Sequence, residues 1–179
     1  MAPCPHRDLR HPETLRTTRE AGAIEAVHRL GASSESVTFL RLPGGAANHH
    51  VHEITHAVVS MLNSWRPQSV FVNYAKDPTS DHVAVNAAVR AALRAYGRPV
   101  TVFEYPVWIG TIASSTLNSL ACLGDVIGVM REALAAHASQ MQRLENQDEW
   151  RTLSDLSGGD FVGRLLADYE MFTRYEINI

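Results

Sequence analysis

Cysteine is scarce in this chain, with only Cys4 and Cys122 in 179 residues. Two cysteines cannot build a disulfide framework or a thiolate zinc cluster, so any metal must be held by His, Asp or Glu. Long apolar runs are missing as well. Nothing approaches the ~18 to 20 consecutive apolar residues of a membrane-spanning helix, and the opening MAPCPHRDLRHPE lacks the apolar core of a secretory signal. A soluble, cytoplasmic protein is the expectation. Neither charge sign dominates: 16 basic against 19 acidic side chains leave a formal charge of −3, which points to neither nucleic acid nor an anionic membrane. Lysine is nearly absent, Lys76 being the only one, and no repeat or low-complexity tract is present. What is there is 45% hydrophobic and 20% charged. A chain of this size can remove about 70% of its unfolded surface from water as one domain.

Residues 1–11 show no periodicity and read as a flexible arm, ahead of a single α/β domain over 12–179. A helix is expected from Pro12, with Leu15, Ala23, Ile24, Val27 and Leu30 at helical spacing and Gly31 to end it. SVTFLRL (36–42) alternates like a strand and stops at Pro43-Gly44-Gly45. Val51, Ile54, Val58, Leu62 and Trp65 make one apolar stripe, which predicts a helix ending before Pro67. SVFVNY (69–74) reads as a buried strand, followed by the polar loop AKDPTSDH and a helix closed by Gly97 and Pro99. VTVFEY (100–105) is the next strand. This alternation predicts an α/β fold, a Rossmann-like parallel sheet with crossover helices, in which ligands bind at the carboxyl ends of the strands. Beyond Trp108 the pattern weakens: Ile109–Ser119 is small and polar, a helical stretch runs through 130–144, and 146–159 reads as a loop. Phe161, Leu165, Leu166, Tyr169 and Phe172 then suggest a closing helix.

Two clusters carry candidate chemistry. His52-Glu53-Ile54-Thr55-His56 matches HExxH, in which two imidazoles one helical turn apart hold zinc and the glutamate is general base. No third ligand is signalled, and the stripe through Val51, Ile54 and Val58 explains this helix equally well as an ordinary covering element with exposed histidines. The second cluster, DPTSDHVAV (77–85), sits at a strand-to-helix junction. There His82 can offer an imidazole to a metal and Asp81 can orient it. The same residues also read as a helix cap, Ser80 or Asp81, followed by a surface histidine.

Several ordered segments resemble the PIG-L/LmbE-like family, the zinc-dependent deacetylases related to N-acetylglucosaminyl-phosphatidylinositol de-N-acetylase. They are HPETLRTTREAGAIEAVHRLG (11–31), VTFLRLPGG (37–45), SVFVNYAKDPTSDHVAVNAAVRAAL (69–93), VFEYPVW (102–108) and REALAAHASQ (131–140). The resemblance implies a zinc cofactor and removal of an acetyl group from an N-acetylglucosaminyl or similar acylated amino-sugar conjugate, water attacking the acetamide carbonyl. It places His82 at a zinc-binding histidine, with Asp81 before it. Thr79 stands where many members carry a histidine that stabilises the oxyanion, and Asp77 where the family often has aspartate. Glu104, Tyr105 and His137 are candidate sugar contacts.

The family opens with a strand and a His-Pro-Asp-Asp-Glu-like segment supplying two zinc ligands and the base. This chain has no such segment: His6, Asp8, His11 and Glu13 occur in the wrong order. The first strands of the family fold are expected to be missing, leaving SVFVNY without a neighbour and open to pairing with a second copy. Three readings follow: a truncated product of an active deacetylase, a diverged zinc-free member that binds a sugar or partner, or an HExxH hydrolase using His52, Glu53 and His56.

Overall fold

The computed structural model describes residues 11–108, 114–142 and 151–178, with no account of the side chains of 114 and 157–159. The arm 1–10, including His6 and Asp8, therefore lies outside the described residues, as do 109–113 and 143–150 of the expected polar and helical stretches. The chain divides into two compact units, Met1–Phe39 with Leu123–Asp168, and Leu40–Cys122 with Tyr169–Ile179.

In the second unit, α2 (Val51–Trp65) ends where Arg66 turns left-handed ahead of Pro67. Next come β1 (Ser69–Asn73), α3 (Ser80–Tyr96) and β2 (Val100–Tyr105), and α3 closes on Gly97 at φ 69°. A non-glycine residue resists that conformation, so Gly97 marks the stop. β1 and β2 are parallel, from Ser69 beside Thr101 to Asn73 beside Tyr105, which makes α3 a crossover helix and brings both carboxyl ends to one mouth. Alanines at 84, 88 and 92 on α3 are buried and let α2 approach closely. Leu62, Val72, Val89, Leu93, Tyr96, Val100 and Val102 fill the core between these helices and one sheet face.

The α/β class holds, and the sheet gains two antiparallel strands. β4 (Tyr169–Ile177) pairs with β2, and β3 (Ser119–Cys122) pairs with β4, giving the order β1-β2-β4-β3 with β1 at an edge. The expected closing helix is thus corrected: α6 covers only Asp160–Leu165, and Tyr169 and Phe172 belong to β4. Tyr-Glu-Met-Phe-Thr-Arg-Tyr-Glu-Ile also has a period-two pattern, and antiparallel pairing with two strands decides for it. Residues 37–43 form no strand. Arg41 at φ 58° breaks the extended run, and Leu40 and Leu42 pack against Ala47, Ile54, Ala84 and Ala88 instead.

In the first unit, α1 (Pro12–Arg29) starts at His11 and ends through Leu30 and Gly31. The single helix expected over 130–144 is broken into α4 (Ile127–Ala135) and α5 (Ala138–Met141). At the break, a Cβ on Gly22 of α1 would lie 3.0 Å from the Ala136 carbonyl oxygen, so the glycine allows the close approach. His137 precedes α5 rather than lying within a helix. The expected loop after 146 closes with a 3₁₀ segment, Leu153–Gly159. Among the described residues, no helix is long and apolar enough to cross a membrane.

One buried polar group ties this core to the mouth of the sheet. Asn86, 2% exposed on α3, donates its amide to the Asn73 carbonyl at the end of β1, at 2.7 Å. Asn86→Ala strands that carbonyl and should cost about 1–3 kcal/mol of stability, read as a lower urea midpoint with an unchanged slope.

Candidate functional site at the mouth of β1 and β2

The loop from Tyr74 to Thr79 leaves β1 and feeds α3, as the polar run between two apolar segments requires. Its first residues are held in place: the Tyr74 amide donates to the Tyr105 carbonyl at 2.9 Å, and the Asp77 amide returns to the Tyr74 carbonyl at 3.1 Å. Asp77 is 5% exposed, and its Oδ1 accepts the Thr79 amide at 2.9 Å. This is an aspartate turn, in which a short carboxylate satisfies an amide two residues on. The same oxygen lies 2.9 Å from His82 Nδ1. Nδ1 is buried and the two atoms are not aligned for a hydrogen bond, so ring and carboxylate meet as a close contact. With Nδ1 against the carboxylate, Nε2 is the nitrogen left to a ligand. Thr79 Oγ1 accepts from Trp108 Nε1 at 3.2 Å and keeps its own hydroxyl hydrogen to donate.

His82, Asp77 and Thr79 therefore come together as the sequence suggests. Asp81 does not join them. Its two oxygens accept the backbone amides of Gly45 and Ala47, at 2.7 and 3.0 Å, stapling the turn before α2 to the first turn of α3. Glu104 is 3% exposed and is likewise occupied: Oε1 accepts from Tyr175 Oη at 2.9 Å and Oε2 from the Ala75 amide at 3.2 Å. Tyr105 stands at the end of β2, and burial together with the Asp77 charge raises its phenol above the usual range. His137 lies in the other compact unit, where burial lowers its imidazole below the ordinary value. His52, Glu53 and His56 are all exposed on α2, and Glu53 pairs with His50 Nδ1 at 3.0 Å. His11 begins α1 and Glu13 pairs with Arg16.

Sequence reasoning missed the roles of Asn86, Tyr175 and the Gly45 and Ala47 amides, none of which has a local signature. Trp108 carried a signal in VFEYPVW, though not its Thr79 partner.

A family description of GlcNAc-PI de-N-acetylase, PIG-L, matches residues 4–93. The chain belongs to the PIG-L family. Its fold is shared with teicoplanin deacetylase Orf2 in a zinc-inhibited form, at TM-score 0.58 and 16% identity over 92% of this chain and 75% of that one. It is shared also with the A40926 pseudoaglycone deacetylase Dbv21, at 0.59 and 18% over 98% and 81%. No curated protein matches.

A zinc site in this PIG-L protein would need at least three protein ligands. Among the described residues no three His, Cys, Asp or Glu side chains come together in a way that could hold a metal. The donor set at the mouth amounts to His82 with Asp77 set against its ring, which does not fit the ion.

Tyr175 supplies a pH test of the wall behind the site. Burial, the hydrogen bond to Glu104 and the Glu104 charge push its phenol from near 10 to about 12, against the opposing Arg90 and Arg94. The folded state therefore holds this proton more tightly than the unfolded chain. The stabilisation is complete below pH 10 and is lost as pH rises from there through about 12. Denaturation titrations should show that alkaline loss in the wild type and a smaller one in Tyr175→Phe.

Proposed function

We propose that this PIG-L protein is hydrolase-like and binds an acylated amino-sugar conjugate of the N-acetylglucosaminyl class at the mouth of β1 and β2, with negligible hydrolysis by the 179-residue chain alone. The observation that carries this reading is the buried Asp77 carboxylate fixing both the Thr79 amide and the His82 ring at the carboxyl ends of two parallel strands. Ligands of open α/β sheets bind at such a place. Asp77 orients His82, Thr79 can donate its hydroxyl to a substrate oxygen, and Tyr105, kept protonated by burial and Asp77, is a second neutral donor. The structural neighbours, one an antibiotic deacetylase in a zinc-inhibited form, support the same class. Zinc is the divalent metal implied by the resemblance, and His82 is the described residue that would meet it. One imidazole does not fix a zinc ion in place of three ligands, so hydrolysis requires donors beyond those described.

Calorimetry on the 179-residue chain tests this reading. N-acetylglucosamine should bind in the presence of chelator, and Asp77→Ala and His82→Ala should each weaken binding by about tenfold, the size of one lost charge-assisted hydrogen bond. Zinc uptake should stay well below one equivalent and acetate release should be negligible. Absence of sugar binding, or stoichiometric zinc together with acetate release, contradicts the reading. His52→Ala should leave zinc uptake unchanged, because His52 and His56 face solvent and Glu53 is engaged with His50.

A further inference from the structure

We propose that Glu104 is the positioning residue of the loop between β1 and α3, gripping it at its root, and that it makes no contact with the sugar. The proposal rests on the functional reading above, because that loop carries Asp77 and Thr79 and leads into His82.

Three successive residues at the loop root are held from three directions. The Asn73 carbonyl takes the Asn86 amide at 2.7 Å, the Tyr74 amide donates to the Tyr105 carbonyl at 2.9 Å, and the Ala75 amide donates to Glu104 Oε2 at 3.2 Å. Two residues further on stands Asp77. The other Glu104 oxygen is fixed by Tyr175 Oη from β4, and Arg90 lies 5.8 Å from the centre of the Tyr175 ring. Glu104 thus spans from the sheet interior to the start of the loop.

Its chemistry sets it apart from its row. Val100 and Val102 precede it on the same face of β2, at 3% and 0% exposure, and Glu104 is as buried as they are. Burying a carboxylate is costly, and removing it alone strands the buried donors that offset the cost. What a leucine in its place would lack is an acceptor for the Ala75 amide. Both Glu104 oxygens are engaged by protein donors and the side chain is 3% exposed, so it presents almost no surface to a ligand.

The test compares Glu104→Leu, Glu104→Gln and the wild type in the whole chain by melting temperature, hydrogen exchange of the Ala75 amide and N-acetylglucosamine affinity. Glutamine can still accept from Ala75 through its carbonyl while donating to Tyr175. In Glu104→Leu the melting temperature should fall, since the Ala75 amide and the Tyr175 hydroxyl both lose their acceptor, Ala75 should exchange about tenfold faster, and affinity should fall about tenfold, the loss expected for one hydrogen bond to a charged acceptor. Glu104→Gln should restore exchange and affinity. Unchanged Ala75 exchange in Glu104→Leu overturns the proposal. So does a loss of affinity that glutamine does not rescue. If the wild type binds no sugar, the functional reading fails and Ala75 exchange still decides the positioning role. If Glu104→Leu does not fold, Tyr175→Phe takes its place: the carboxylate loses one anchor, and Ala75 exchange must quicken or the proposal fails.

Discussion

A carboxylate taken out of water must find its hydrogen bonds within the protein, and at the mouth of this sheet Asp77 does so. With 5% exposure, it binds the Thr79 amide and sets itself against the His82 ring. That choice holds the loop conformation ahead of α3. The remainder of the second unit exists to bring this loop to rest. α3 crosses from β1 to β2 so that both strands end side by side, and its alanines let α2 press against it. The mouth is a consequence of parallel pairing, and the aspartate makes it specific.

The elements bounded by strong punctuation were legible in the sequence. α1 starts at Pro12, α2 stops before Pro67, and α3 closes on Gly97, because a fixed φ, a missing amide or a left-handed turn each act locally. Residues 36–42 and 161–172 misled for the opposite reason. Whether an aromatic, half-alternating segment becomes strand or helix depends on which neighbour offers a backbone ladder, and that neighbour is distant in sequence. Phe172 lies in a strand because Ser119 and the end of β2 flank β4. Val37–Leu42 has the composition of a strand, yet Arg41 turns left-handed within it.

The candidate site divides in the same way. Asp77, Thr79 and His82 lie within six residues, so a spacing argument could group them, and the geometry joins them. Asp81 and Glu104 carry the same functional group and were equally eligible by type. Asp81 serves Gly45 and Ala47, and Glu104 serves Ala75 and Tyr175, partners that lie 29 to 71 residues away from them in the chain. No spacing rule reports what a carboxylate will be asked to satisfy after folding.

Counting carboxylates therefore overstates the ligands this region can offer. Backbone amides left unpaired by the turn before α2 and by the loop root would each cost about 1–3 kcal/mol if buried without a partner. Asp81 and Glu104 remove that cost, and a carboxylate engaged by two donors cannot also turn toward a cation without stranding them. The price of a well-braced mouth is thus a poor local donor set among the described residues, to which His82 contributes a ring nitrogen. Among the described residues, no further His, Cys, Asp or Glu joins His82 and Asp77 in a set that could hold a metal. The described unit supplies an imidazole set against Asp77, a hydroxyl held by Trp108, and a Tyr105 phenol raised above its usual range.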